Sequence, residues 1–274
     1  MFKLYNTQAD ITTAFKNFIE NAIPNIRKNQ LNFLPSLMFG MISSESCASS
    51  DIAKSLKDEQ KWAQYDSIVK RINRFFNNDH FDGKVFFNNV ITSILVSYKS
   101  KHSNNRVHIT FDHMFSHDNY AVFMFTMRLG TQGFPIYFDC FKGSNNTDAF
   151  KIDTLKNGIK AVDDLFKDKD LDLVFLADRW FCSTELLDYI DSLGHTYCVR
   201  LKGNIHVYKD GIKLKAKKLK HRKHHAIVHK DVYITDKRFK TNIVYSSSLD
   251  TSTPWIIATN KNIETAIQNY RFRF

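Results

Sequence analysis

Leu171-Asp172-Leu173-Val174-Phe175-Leu176-Ala177-Asp178-Arg179-Trp180-Phe181 decides the fold. Leu171 to Ala177 reads as an apolar run, with Asp172 the one polar residue in it, and the run then stops at an acid. A half-exposed strand would alternate, and an amphipathic helix would repeat every three or four residues. A short run of this kind fits a strand covered on both faces, which is the environment of a strand flanked by helices. Asp178 then stands at the exit of a buried strand.

Upstream, Ile152, Leu155, Ile159, Val162 and Phe166 fall at steps of three and four, which predicts a helix from about Asp148 to Phe166. Before it, Tyr120–Leu129 and Phe134–Phe141 read as strands joined by a hairpin turn over Gly130–Gly133. Val107-His108-Ile109-Thr110-Phe111 alternates and reads as a strand ending at Asp112. Downstream, Ser183–Leu193 reads as a helix and Thr196–Leu201 as a strand. The order is β-β-β-α-β-α-β. Residues 1–105 differ in character: Ile11–Ile23, Leu31–Ile42, a segment starting near Ile52, Asp66–Phe76 and Phe86–Tyr98 all read as helices. The polar stretch Ser100–Asn105 is the expected boundary, with residues 1–105 a helical, DNA-binding region and 106–274 a catalytic domain.

Charge is unevenly spread. Residues 200–240 hold 14 Lys and Arg against three Asp and Glu, an excess that matches the +11 of the whole chain. Residues 106–199 hold nine against 14. An acidic middle followed by a basic block fits carboxylate chemistry beside a phosphate-binding surface. Such a block is also what a solvated hairpin looks like. Ala226-Ile227-Val228 and Asp231-Val232-Tyr233-Ile234 read as short strands, so a basic sheet face is the reading preferred here. The four cysteines form no C-x-x-C pair and no zinc spacing, which implies reduced thiols. Met1–Asp10 has no apolar core of a signal peptide, and no apolar run is long enough to span a bilayer. A cytoplasmic protein is expected.

Asp112 and Asp178 carry the expected chemistry. If their strands are neighbours, the two carboxylates can share divalent cations. Oxygen ligands suit Mg²⁺, which also takes substrate phosphate oxygens, and a metal pair can support in-line phosphoryl displacement without a protein nucleophile. Either Asp alone could equally be a turn or cap residue.

The order β-β-β-α-β-α with Asp on strands one and four resembles the RNase H-like fold. Leu173–Phe181 resembles the "hydrophobic strand, D-R-G-F" box of insertion-sequence DDE transposases, with Trp180 in place of Gly. Thr110-Phe111-Asp112 resembles the first box, although His113 departs from it. Residues 202–255 are similar to the β-rich insertion of that family, and Pro254–Asn260 to the strand that returns to the core. Tyr270 and Arg273 resemble the start of the final Tyr-x-x-Arg-x-x-x-Glu box. Its Glu would fall four residues after Arg273, past Phe274, so the resemblance implies a C-terminally truncated transposase. Glu264 lies 13 residues before that point, about 20 Å along a helix, and cannot replace it.

The resemblance implies a mixed α/β (α+β) class: an RNase H-like sheet, an all-α N-terminal region and a basic β-rich insertion. It implies Asp112 and Asp178 as catalytic metal ligands for two Mg²⁺ or Mn²⁺ ions. It implies DNA as partner, both terminal inverted repeats and target, at the nucleoid of a bacterium, and it allows a homodimer. Arg179, Tyr270 and Arg273 are the DNA contacts it implies beside the site. Arg200, Lys202, Lys215, Lys217, Lys218, Lys220, Arg222 and Lys223 in the basic block are the expected backbone grip. Two other readings stay open: a DNA-binding regulator without catalysis, and an RNase H-like nuclease unrelated to transposition.

Overall fold

The computed structural model describes residues 8–274 apart from 24, 60–63, 102–104, 117–118, 144–146, 220, 222–224 and 247–253. The chain divides into two compact units, Met1–Lys101 and His102–Phe274.

The first unit is helical: α1 (Gln8–Ala22), α2 (Lys28–Ser44), α3 (Ser49–Glu59), α4 (Tyr65–Phe76) and α5 (Gly83–Lys101). Each follows the apolar spacing that the sequence shows. Ile19, Leu34, Leu37, Ile52, Leu56, Ile68 and Ile72 form its buried core, with Phe75, Phe81 and Phe86 packed against it. Each fully buried Leu or Ile here contributes about 1.5–3 kcal/mol.

The second unit is one ten-stranded sheet in the order β3-β2-β1-β4-β5-β10-β9-β8-β6-β7. Its first half comprises β1 (Arg106–Ser116), β2 (Tyr120–Leu129), β3 (Gln132–Lys142), β4 (Asp172–Ala177) and β5 (Thr196–Arg200). β1, β2 and β3 form an antiparallel meander, while β4 runs parallel to β1 and β5 parallel to β4. With α6 (Ile152–Phe166) and α7 (Thr184–Ser192) between strands, this is the RNase H-like arrangement. Gly130, at φ +60°, turns the β2–β3 hairpin without the steric cost a side chain would meet.

Both faces of this half are covered. On one, Phe111, Phe123, Phe125 and Phe175 pack together, with Phe111 and Phe125 centroids 5.2 Å apart. α6 approaches closely enough that a Cβ at Gly158 would run into the buried ring of Phe125. On the other, Val174, Leu176, Cys198, Val244 and Ile257 pack against Ala266 and Tyr270 of α8 (Ala266–Arg271). That double cover is why Leu173–Ala177 is apolar without alternation.

Three details differ from the sequence reading. β1 does not end at Asp112: it continues to Ser116 because β2 pairs with it as far as Ser116↔Tyr120, whereas its pairing with β4 stops at Thr110↔Leu176. The helix expected from Asp148 starts with a separate 3-10 turn, Thr147–Phe150, before α6. The two short strands near residues 226–234 are one bulged strand, β8 (Ala226–Ile234), its register shifting between His229 and Val232. At that bulge Asp231 adopts φ +52° and its N–H donates to Asn242 Oδ1.

The insertion does not stand apart as its own layer. β6 (His206–Lys209), β7 (Ile212–Lys215), β8 and β9 (Phe239–Ser246) continue the core sheet through β10 (Trp255–Thr259), which pairs with both β5 and β9.

Candidate active site and nucleic-acid interface

β1 and β4 share a constant register: Arg106 faces Asp172 and Thr110 faces Leu176. Asp112 and Asp178 each follow that last pair by two residues, Asp112 still on β1 and Asp178 just past the end of β4. Neighbouring strands lie about 4.8 Å apart, and the two acids leave adjacent parallel strands at the same end. Asp178 leads directly into a 3-10 turn, Arg179–Phe181, closed by the Phe181 N–H donating to the Asp178 carbonyl at 3.0 Å. Phe181 is buried in this turn and stacks on His113 with centroids 5.0 Å apart. That anchor leaves Arg179 and Trp180 exposed.

The two acids have different surroundings. Asp112 is exposed; its Oδ1 accepts the His113 N–H, and its Oδ2 accepts Arg273 Nη2, both at 2.9 Å. Asp178 Oδ1 is buried and has no hydrogen-bond partner among the described residues. An acceptor buried without a donor costs about 1–3 kcal/mol, more if charged. A cation would satisfy it. The donor set therefore fits a divalent ion held by Asp112 and Asp178, although no group of three metal-ligating side chains occurs among the described residues.

α8 closes the face on which Asp112 stands. His108 Nε2 and Asn269 Oδ1 are 3.0 Å apart, and the His108 ring stacks on Phe272 at 4.2 Å. Burial lowers the His108 pKa below its ordinary value, against the opposing hydrogen bond from Asn269. Tyr270 is fully buried beside Trp255, ring centroids 5.2 Å apart, and its hydroxyl has no partner among the described residues. Burial above all pushes its pKa up to about 12; Arg273, Arg200 and Arg179 pull it down and Asp178 raises it. Arg273 follows α8 in a turn, where its N–H donates to the Tyr270 carbonyl, and its guanidinium reaches Asp112.

A second group adjoins it. Arg179, Trp180, Lys202, Gly203, Asn204 and Lys217 line a cleft of about 500 Å³. Trp180 is 80% exposed, and Lys202 Nζ sits 4.7 Å from its ring centroid. Lys217 is brought there because its N–H donates to the Gly203 carbonyl. Trp180 was legible in the sequence only as a departure from the D-R-G-F box; its exposure was not. Lys218 lies exposed in the same short 3-10 turn, Ala216–Lys218. Lys215 lies on β7, the far edge of the sheet, paired with His206 and two residues before Lys217. Lys220, Arg222 and Lys223 lie outside the described residues.

His113, the departure from the first box, faces the other side of the sheet from Asp112. Its Nε2 lies 2.7 Å from the Ala149 carbonyl and its ring packs among Phe123, Phe150 and Phe181. Burial lowers its pKa. It braces the strand end from behind.

A family model described as "Transposase DDE domain" matches residues 122–267, just over half of the chain. The chain belongs to the DDE transposase family. The match includes Asp178, Arg179, Arg200, Lys202 and the basic insertion; Asp112, Tyr270 and Arg273 lie outside its bounds. Comparison with curated proteins returns no match. Among solved structures, Ciona intestinalis endonuclease V bound to an inosine-containing DNA is 16% identical at a TM-score of 0.36, over 68% of this chain and 88% of that one. Marinitoga piezophila Argonaute with guide RNA and target DNA is 15% identical at a TM-score of 0.30, over 69% of this chain. The match spans 29% of the Argonaute chain. DDE transposases use divalent metal ions, and no helix among the described residues is long and apolar enough to cross a membrane.

Proposed function

We propose that this DDE-family chain binds transposon-end DNA and, with a third carboxylate in place, cuts and joins DNA strands by metal-dependent phosphoryl transfer. The observation that carries this reading is the parallel β1–β4 register, with Thr110 opposite Leu176 two residues before each acid, together with a buried Asp178 Oδ1 that has no partner among the described residues. Asp112 and Asp178 would hold the metal ions. Two Mg²⁺ or Mn²⁺ ions held there would supply activation of the attacking hydroxyl and charge stabilisation of the leaving oxygen. Arg273, now paired with Asp112, is positioned to turn its guanidinium to a phosphate. Tyr270, which shares the final box with Arg273, is fully buried and supports the turn that carries Arg273, its carbonyl accepting the Arg273 N–H. Arg179, Arg200, Lys202 and Lys217 grip the strand backbone, and Trp180 offers a face for a base beside the cut. Lys215, Lys218, Lys220, Arg222 and Lys223 extend the grip along the insertion. The helical unit adds DNA affinity, the working form is a homodimer, and terminal inverted repeats and target DNA are the partners at a bacterial nucleoid.

The third carboxylate of the final box would follow Arg273 by four residues. The test is cleavage of a duplex carrying transposon ends in Mg²⁺ or Mn²⁺, by this chain and by one extended through that glutamate. Cutting by the extended chain alone supports the reading; no cutting by either contradicts it. A second reading, a DNA-binding regulator of a full-length transposase, is favoured by the Arg273–Asp112 pair, which already neutralises one of the two acids. Tight binding to transposon ends without cutting by the extended chain would select it.

A further inference from the structure

The helical unit holds a concave site that strand cutting does not use. A cleft of about 530 Å³ lies between the start of α2 and the end of α4. Arg27, Arg71 and Arg74 line it, against a single carboxylate, Asp79. Phe33 and Phe75 form its apolar wall, with centroids 5.5 Å apart, and the Arg71 guanidinium sits over Phe33 at 4.4 Å.

Gln30 makes this more than a basic hollow. It lines the same cleft while only 4% exposed, and its Nε2 amide donor meets no acceptor among the described residues. Its own backbone N–H is already taken by Asn29 Oδ1, so the orphan is the side chain alone. Native structures rarely keep a buried donor unsatisfied, and a ligand acceptor is one explanation for such a group. α2 also begins here, with Arg27 at its N-cap, no side-chain cap and no acid in its first turn. Its positive end therefore points the helix dipole at the cleft without a built-in counter-charge.

The site thus asks for three things at once: an anionic group for the guanidinium cluster, a flat ring for the aromatic and guanidinium surfaces, and an acceptor on the edge of that ring for the Gln30 amide. A nucleotide carries all three. In a duplex the bases are stacked inside a convex rod and cannot enter a hollow, whereas an unpaired base can be splayed out and stacked on side chains. We propose that this cleft takes one unpaired nucleotide of a DNA strand. Its phosphate lies among Arg27, Arg71 and Arg74, its base against Phe75 and the Arg71 guanidinium, and a base acceptor receives the Gln30 amide proton. The choice of DNA rests on the strand-cutting reading, while the chemistry of the cleft does not.

The experiment is fluorescence anisotropy on the full chain, comparing a blunt duplex with the same duplex bearing a short single-stranded overhang. The overhang duplex is expected to bind about tenfold tighter, the scale of one base stacked on an aromatic surface. Gln30→Leu, and separately Arg71→Ala with Arg74→Ala, should remove most of that preference. Gln30→Leu should do so at an unchanged or raised Tm, because it replaces an unpartnered buried amide; that separates loss of binding from loss of fold. Equal binding of the two duplexes overturns the proposal, as does a preference that survives both sets of substitutions. Displacement of the overhang by inorganic phosphate at the same concentration as by a mononucleotide also overturns it, since the cleft would then be an anion site only. No cutting by the extended chain with the overhang preference present sinks the strand-cutting reading alone, and no overhang preference with cutting by the extended chain sinks this one.

Discussion

The two halves of the sheet share one hydrogen-bond ladder and carry opposite chemistry. β1, β4 and β5 are closed in by helices, and Leu173 to Ala177 are entirely buried. β8, in the insertion, exposes most of its residues and buries only His229, Val232 and Ile234. A pair of carboxylates needs fixed positions, which dense packing on both faces supplies. A strand-gripping surface needs charge at many points and tolerates looseness at each one. Acid therefore sits where the sheet is rigid, and base where it is open.

That contrast sets the scale of each substitution. In the rigid half one atom matters: Asp178→Asn should weaken Mn²⁺ binding at least about a hundredfold in a calorimetric titration, since even outer groups around a metal cost 10–100-fold. Unchanged affinity would remove Asp178 from the site. Packing there should be equally intolerant. Gly158→Ala is expected to lower stability by about 1–3 kcal/mol in urea unfolding, because the buried Phe125 ring has nowhere to go; a neutral result would mean that α6 rides more loosely than its contacts imply.

At the junction of the halves, Trp180→Ala should weaken single-stranded DNA binding about tenfold while leaving its salt dependence unchanged, as expected for loss of a stacking face. Lys202→Ala and Lys217→Ala should each cost less at physiological salt, and each should lower the slope of log affinity against log salt by about 0.9 on duplex DNA. Equal slopes for wild type and variants would place those lysines off the backbone.

The smallest expected effect is one of pH. His108 and His113 have folded pKa values below 6.5, so the unfolded chain binds protons more readily. The stability that their burial as neutral rings provides is complete above 6.5 and is lost as pH falls through the folded values. His108→Gln keeps a partner for Asn269 without a titrating ring and should flatten part of the fall in Tm between neutral and mildly acidic pH. A fall as steep as that of wild type would assign it to other groups.

Much of the rigid half is legible in the sequence because burial writes a local pattern. The unbroken run into Asp178 and the three-and-four spacing of Ile152 to Phe166 each record a covered face. Asp112 was legible as a strand acid, but not that β1 continues beyond it: Met114 and Phe115 are exposed and held by the hairpin with β2, so they leave no burial signature. The merging of the insertion into the core sheet depends on β10 pairing with β5 and β9, a long-range choice that no local pattern encodes. Trp180 and Gln30 were missed for opposite reasons. One aromatic beside an acid reads as core, and a glutamine on a helix reads as surface; only burial reverses both.

Cutting of a transposon-end duplex in Mg²⁺ by the chain extended through the expected glutamate, beside its Asp112→Ala and Asp178→Ala variants at matched Tm, tests the paired-carboxylate site most directly. Cutting by the extended chain and its loss in both variants is the expected result. Equal cutting by the variants would contradict it, leaving the basic half of the sheet as a DNA-binding surface without the chemistry assigned here to its acidic neighbour.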